Sequence, residues 1–175
     1  MNMLRRLLAL PCLALVLYAA PPADFTVESA VGGPAFTLSA HRGKLVALHF
    51  LLKTECPYCL RHTLAYAALA ATTPEVVHVF LKPDSAEEIR VWAGKIKAGD
   101  LAGAPNIYRD PEAALAKAYG IPGGYKFHGQ EVHFPALVLL DRDGKERWRY
   151  VGRNNGDRLK PEAFTARLAE ASAAP

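Results

Sequence analysis

The stretch that decides the fold is Cys56-Pro57-Tyr58-Cys59. Residues three apart share one face of a helix, so the two sulfurs can meet in a disulfide if the motif opens a helix. Proline suits the first turn of a helix, and the unpaired N–H groups and partial positive charge at a helix N-terminus stabilise a thiolate. Because the thiolate is the nucleophile of disulfide exchange, the motif predicts a redox-active dithiol. A structural disulfide and half of a zinc site are the alternatives, but a zinc site would need a second cysteine pair that this sequence lacks.

Strand and helix patterns alternate on both sides of this motif. The apolar run at 45–52 precedes it and predicts a buried central strand, and the motif opens a helix expected from Pro57 to about Ala71. Further elements are expected as strands at 76–81, 107–108, 136–140 and 146–151, and as helices at 87–97, 110–120 and 161–171. The segment at 121–134 is a Gly-rich excursion and 152–160 is a polar loop. The order predicts an α/β three-layer sandwich with a central mixed β-sheet flanked by helices, preceded by an N-terminal hairpin extension at 25–38.

The first 23 residues have the features of a secretory signal peptide. Arg5 and Arg6 form a positive start, an apolar stretch follows from Leu7 to Ala20, and small residues stand near its end. An uncleaved anchor is the alternative. The sequence therefore predicts a signal peptide at 1–23, one folded domain at 24–172, and a periplasmic or extracytoplasmic location. If the leader leaves with Cys12, the only cysteines that remain are those of the motif.

Length and charge limit the classes of function. A chain of 175 residues suits one domain with a sizeable core. The formal net charge of +4 is mild, and the basic residues form no block or aromatic-basic stripe. We therefore expect the protein to bind no nucleic acid. A monomer is a separate expectation.

The order of motifs resembles the thioredoxin-like superfamily. The residues that carry the resemblance are the dithiol motif together with FTLSAHRGKLVALHF at 36–50, YRDPEAALAKAYGI at 108–121 and FPALVLLDRDGKERWRYVG at 134–152. The chain is similar over roughly residues 24–171 to the exported redoxin branch, which includes TlpA/ResA-type proteins and the AhpC/TSA peroxiredoxin-like group. The resemblance implies a thioredoxin-like (redoxin) domain.

The roles of the two cysteines follow from their places on the helix. Cys56, nearer the helix start and expected to be more exposed, attacks, and Cys59 resolves the mixed disulfide. Pro57 and Tyr58 shape the turn, bias the redox potential and meet the substrate. Among the flanking charged residues, Glu55 would raise the pKa of Cys56, while three cationic groups would lower it if close, namely Lys53, Arg61 and His62.

The resemblance also implies a substrate-binding proline opposite the dithiol. Pro135 matches the family's cis-proline by position. A cis bond there would turn the backbone of Phe134 outward, where it could pair with an extended substrate. An ordinary trans proline entering a strand is the alternative.

These features predict an exported thiol–disulfide oxidoreductase that reduces or exchanges disulfides in other exported proteins. It would need no cofactor beyond the Cys56–Cys59 disulfide, and a membrane or periplasmic thiol donor would recharge it. A peroxiredoxin-like peroxidase is one rival, but peroxiredoxins place a Thr three residues before the attacking cysteine, where this chain has Lys53. Arg147 or Arg149 would then supply a guanidinium.

Copper handling is the rival from another class. Sco-type proteins share this fold and bind copper through two cysteines and a distal histidine. His133 stands in the matching place, and two thiolates with an imidazole suit copper. However, Sco proteins carry an extra residue between their cysteines. His128 and His133 are therefore expected in a solvated loop, and the copper set of Cys56, Cys59 and His133 is kept only as the alternative.

Overall fold

The computed structural model describes residues 22–53, 55–97 and 105–173. The predicted signal peptide lies outside the described residues except for positions 22 and 23. Among the described residues, no helix combines the length and the apolar character needed to cross a membrane.

The elements alternate along the chain much as the sequence predicts. In chain order they are β1 (Thr26–Val27), β2 (Phe36–Thr37), β3 (Leu45–Phe50), α1 (Pro57–Ala70), β4 (Val76–Lys82), α2 (Ala86–Lys97), β5 (Ile107–Arg109), α3 (Ala114–Ala118), β6 (Tyr125–Phe127), β7 (Gln130–Val132), β8 (Ala136–Leu140), β9 (Glu146–Val151) and α4 (Pro161–Ala173). A short 3-10 turn at Leu38–His41 lies between β2 and β3, and another at Pro111–Ala113 lies between β5 and α3.

A five-stranded mixed sheet forms the centre, in the order β5-β4-β3-β8-β9. β3, β4 and β5 are parallel, while β8 runs antiparallel to both of its neighbours. Every residue of β3 is buried, as its continuous apolar run requires of a central strand. β9 alternates between exposed and half-buried residues, as expected of an edge strand.

The sheet is covered on both faces, which makes the fold a three-layer sandwich. Right-handed crossovers from β3 to β4 and from β4 to β5 carry α1 and α2 to the same face. There Tyr66, Ile89 and Phe164 join one buried cluster, so α4 packs on this face as well. On the other face, Phe36 of the N-terminal hairpin and Tyr119 after α3 belong to a second cluster. The predicted fold class is confirmed.

The helix expected at 110–120 is broken near its start. Glu112 and Ala113 have φ of 57° and 54°, so the helical turn at Pro111 does not continue into α3. The Asp110 carboxylate instead accepts hydrogen bonds from the backbone N–H groups of Leu115 and Ala116, at 2.7 and 3.0 Å. Asp110 therefore caps the later helix rather than the turn that follows it directly.

The Gly-rich excursion contains a small hairpin that the sequence reasoning missed. β6 and β7 pair antiparallel, and the chain turns at His128 and Gly129, both with positive φ. Two positive φ values in succession are the geometry of a tight hairpin turn. Each strand has only three residues and the turn is not the usual Asn-Gly pair, so the sequence signal is weak.

Candidate active site

The dithiol sits at the start of α1, where the motif predicts it. Cys56 is the residue before the first helical turn, and its Sγ accepts a hydrogen bond from the Cys59 backbone N–H at 3.1 Å. Pro57 occupies the first helical position, where a missing N–H costs nothing. Both cysteines are present as free thiols.

Both thiols are buried, and the predicted greater exposure of Cys56 relative to Cys59 is at most slight. Cys56 is 1% exposed and Cys59 is 0% exposed. The Cys56 thiol donates to Oδ1 of Asn155 at 2.8 Å, and Nη2 of Arg158 lies 3.6 Å from Cys56 Sγ and 3.2 Å from Cys59 Sγ. These contacts come from the polar segment 152–160, which we call the covering loop.

The covering loop is held in place by contacts at several points. The Asn155 backbone N–H donates to the Tyr125 hydroxyl of β6 at 3.0 Å, so the small hairpin supports the loop from one side. The Asp157 carboxylate accepts hydrogen bonds from the Tyr150 hydroxyl and from Nε of Arg153. The loop is therefore an ordered part of the site.

The two thiols have opposite electrostatic environments. The pKa of Cys56 is lowered to about 6, chiefly by a hydrogen bond from the Cys59 side chain, with the Arg158 guanidinium and the Cys59 backbone N–H adding to the effect against the cost of burial. Burial raises the pKa of Cys59 well above its usual value, and the bond with Cys56 raises it further, while Arg158 and Lys82 oppose the shift. At neutral pH the pair thus holds a thiolate on Cys56 and a proton on Cys59.

The cationic side chains that flank the dithiol motif contact other partners or carry no charge. Lys53 donates to Oε1 of Gln130 at 2.6 Å, and the Arg61 guanidinium lies 4.5 Å from the centroid of the Tyr58 ring. His62 is directed into the interior, where burial lowers its pKa to about 3. His62 is therefore neutral at physiological pH, and it does not lower the pKa of Cys56 through a charge.

His62 belongs to a chain of three histidine rings beneath the site. Its Nε2 lies 2.9 Å from Nδ1 of His49, and Nε2 of His49 lies 2.9 Å from Nδ1 of His78. Burial lowers the pKa of all three rings, that of His78 to about 4. His49, the one polar residue of β3, is thus a hydrogen-bonded core residue, as its isolated position in an apolar run indicates.

The predicted cis-proline is wrong, because the Phe134–Pro135 peptide bond is trans. The Pro135 carbonyl accepts the Gly152 N–H at 2.8 Å, which extends the pairing of β8 and β9 by one step. The Phe134 N–H donates to the Pro122 carbonyl at 2.8 Å, and the Phe134 carbonyl accepts from His133 Nδ1 at 2.7 Å. The Phe134 backbone is therefore already paired within the chain. Pro135 nonetheless reaches the dithiol end of the sheet, where it shares a small cavity with His62 and Arg158.

The residues of the copper alternative do not gather into a metal centre. His133 is 7% exposed rather than solvated, and its ring lies edge-on to Phe50. In the part of the chain that the structure describes, no three His, Cys, Asp or Glu side chains are grouped so that they could hold a metal ion.

A known protein family matches most of this chain. The model of the AhpC/TSA family matches residues 18–149. This chain belongs to the AhpC/TSA family. The resemblance to thioredoxin-like redoxins is thereby confirmed, and no curated protein matches the chain significantly.

Solved structures show the same fold in this AhpC/TSA protein and in two kinds of redoxin. Peroxiredoxin Q of Xanthomonas campestris aligns with a TM-score of 0.66 at 19% identity, over 86% of this chain and 92% of that one. A secreted Mycobacterium tuberculosis disulfide oxidoreductase homologous to E. coli DsbE aligns with a TM-score of 0.62 at 18% identity, over 85% and 96%. A DsbE-like thiol:disulfide interchange protein from Chlorobium tepidum aligns with a TM-score of 0.64 at 19% identity, over 88% and 94%. At these identities the likeness establishes the fold alone.

Two residues of the site escaped the sequence reasoning. Asn155 and Arg158 lie in a polar loop about 100 residues beyond the dithiol, and nothing local separates Arg158 from the other arginines of the chain. The peroxidase alternative considered a guanidinium from Arg147 or Arg149 of β9, but another arginine contacts the thiols. Arg149 is bound by Glu146 and by the Tyr119 carbonyl, whereas Arg158 lies beside the thiols.

Proposed function

We propose that this protein is an exported thiol–disulfide oxidoreductase that reduces or exchanges disulfides in other exported proteins. The observation that carries the proposal is the geometry of two free thiols at the start of α1, where Cys56 Sγ accepts the Cys59 backbone N–H and the Arg158 guanidinium lies beside both sulfurs. A thiolate is the form that attacks disulfides, so Cys56 reacts first. Cys59 keeps its proton until the second step.

The reaction uses only the dithiol. The Cys56 thiolate attacks one sulfur of the substrate disulfide, the substrate S–S bond breaks, and the first substrate thiolate leaves and takes up a proton. Cys59 then loses its proton and attacks the Cys56 sulfur, which releases the second substrate thiolate. Two electrons pass to the substrate, Cys56 and Cys59 become a disulfide, and a membrane or periplasmic dithiol partner returns the electrons. The protein acts as a monomer without any other cofactor.

Trapping the intermediate tests this function. Cys59→Ser removes the resolving thiol, so incubation with a disulfide-bonded exported protein should leave a mixed disulfide on Cys56 that mass spectrometry detects. Cys56→Ser is the matched control and should trap nothing. Absence of any mixed disulfide with Cys59→Ser, in a variant that folds normally, would refute the proposal.

Export is part of the same proposal and rests on the signal-like residues 1–23. Expression of the full chain in a bacterial host, followed by fractionation and N-terminal sequencing, should give mature protein outside the cytoplasm that begins near residue 21 or 24. Full-length protein confined to the cytoplasm would contradict export but not the dithiol chemistry.

Peroxide reduction is a second candidate, favoured by one specific observation. Cys56 is 1% exposed, with the Arg158 guanidinium beside it, and such a site admits a small oxidant more readily than a folded protein. The thiolate would attack the peroxide O–O bond, releasing an alcohol or water and leaving a sulfenic acid. Cys59 would condense with it to form the disulfide and water. Rates of dithiol oxidation by an organic hydroperoxide and by a protein disulfide, measured on one preparation, decide between the two functions.

A further inference from the structure

A cavity of about 360 Å³ is lined by Tyr58 of the dithiol motif and by Arg158. It lies between the solvent-facing side of α1, the end of the covering loop and the start of α4. Arg158 lines this cavity and also contacts both sulfurs, so a single side chain connects the cavity to the reactive thiols. The volume falls within the range of small-molecule sites, about 300–1,000 Å³.

The charges that line this cavity are all positive. Arg61, Arg158 and Lys160 contribute their side chains, and no acidic residue lines the cavity. None of the three forms a salt bridge with any carboxylate in the described ranges. Because the Cys56 thiolate partly neutralises Arg158, Arg61 and Lys160 supply the positive charge that raises the local concentration of anions in this concave space.

The remaining walls of the cavity are largely apolar and already ordered. Tyr58, Tyr66 and Pro161 form part of the lining. The Arg61 guanidinium lies over the Tyr58 ring, and the Tyr66 hydroxyl donates to the Leu159 carbonyl at 3.1 Å. A ligand for this space therefore needs an aliphatic body and at least one negative end.

One acidic residue stands near this cavity without lining it. Glu162 follows Pro161 in the first turn of α4, and its charge contributes to the raised pKa of Tyr66, after the larger effect of burial. The lining of the cavity itself therefore carries positive charge alone.

We propose that this cavity binds a low-molecular-weight disulfide that carries carboxylates, and presents it to the dithiol as a substrate. The proposal rests on the proposed disulfide-exchange function and names a substrate class for it. The carboxylate binds Arg61 and Lys160, while Arg158 stays beside the sulfurs and keeps Cys56 as a thiolate.

The reaction follows the same balance as exchange with a protein. The Cys56 thiolate attacks one ligand sulfur and the ligand S–S bond breaks, so that one small thiol leaves with a proton. Cys59 then displaces the second small thiol, and the protein ends as the Cys56–Cys59 disulfide. Two electrons move from the protein to the ligand, and no further reactant is needed.

The test compares three small disulfides of similar size that differ in charge. Dithiodipropionate is anionic, bis(hydroxyethyl) disulfide is neutral and cystamine is cationic. The rate of oxidation of the reduced protein by each is measured by alkylation quench and mass spectrometry. We expect the wild type to be oxidised roughly tenfold or more faster by dithiodipropionate than by cystamine, with the ratio falling as salt is added.

Two matched double variants locate the effect. Arg61→Gln with Lys160→Gln should bring the ratio of anionic to cationic rates close to one. Lys44→Gln with Lys117→Gln removes the same charge from exposed positions away from the cavity and should leave the ratio unchanged. Circular dichroism of each variant shows whether it folds.

The possible outcomes separate the cavity proposal from the proposed disulfide-exchange function. A wild-type protein that reacts with the neutral disulfide but shows no preference for the anion would overturn the cavity proposal and leave the proposed function standing. A preference that survives in Arg61→Gln with Lys160→Gln would also overturn it. A protein that reacts with none of the three disulfides, yet with a carboxylate-bearing hydroperoxide, would refute disulfide exchange itself.

Discussion

Arg158→Met is the substitution that most directly tests how the site holds a thiolate. Methionine keeps an unbranched side chain of similar reach but removes the positive charge. An opposite charge within about 4–6 Å lowers the pKa of an acid by about 1–3 units. Arg158 lies 3.6 Å from Cys56 Sγ, but the hydrogen bond from Cys59 makes the larger contribution. We therefore expect the lower part of that range, a rise of about 1–2 units.

Starting from about 6, the pKa of Cys56 should reach about 7–8 in Arg158→Met. The thiolate fraction at pH 7 would then fall from about nine-tenths to between about one-half and one-tenth. The pKa of Cys59 should rise at the same time, because Arg158 opposes the upward shift there too.

The assay is the pH dependence of iodoacetamide alkylation at Cys56, mapped by mass spectrometry. The pKa comes from the midpoint of the profile, because loss of Arg158 also opens access and so changes the absolute rate. Arg153→Met is the matched control from the same loop, since Arg153 contacts Asp157 and is 88% exposed. An unchanged midpoint in a folded Arg158→Met protein would show that the guanidinium does not stabilise the thiolate.

Three further predictions concern stability and access. Burial holds the pKa of His62 near 3 and that of His78 near 4, whereas each ring has a pKa of 6.5 in the unfolded chain. Below pH 6.5 the unfolded state therefore binds more protons than the folded state. The free energy of unfolding should thus fall by about 1 kcal/mol per pH unit for each ring as the pH drops below 6.5, and chemical denaturation of His62→Gln should show a shallower loss. Tyr125→Phe leaves the Asn155 N–H without its partner, so alkylation of Cys56 should speed up several-fold. Equal rates would mean that the hairpin does not hold the covering loop. Phe164→Ala, at a fully buried position, should lower the free energy of unfolding by about 3–5 kcal/mol in urea, and a loss below 1 kcal/mol would contradict its place in the core.

Much of the fold could be predicted because its signals are local. The apolar run of β3, the proline that opens α1 and the alternation in β9 each follow from neighbouring residues. The break before α3 could not, because it depends on the Asp110 side chain selecting N–H groups five and six residues ahead.

The candidate site divides in the same way. The sequence of the dithiol motif is enough to predict its position at the start of α1. The covering loop at 152–160 reaches the thiols only through tertiary contacts. Asn155 and Arg158 are polar residues in a polar loop, and only the closed sheet brings them to the thiols. The pairing of Pro135 with Gly152 is likewise a tertiary contact that no local pattern records.

The distance along the chain between the thiols and their covering has a consequence for biosynthesis. Asn155 follows Cys56 by 99 residues, which corresponds to roughly 5–20 s of translation. During that interval the nascent chain has both cysteines but neither the guanidinium nor the amide that later meets them. The contribution of Arg158 to the low pKa of Cys56 is therefore added only when the C-terminal quarter of the chain docks, whereas the contribution of Cys59 is available as soon as α1 forms.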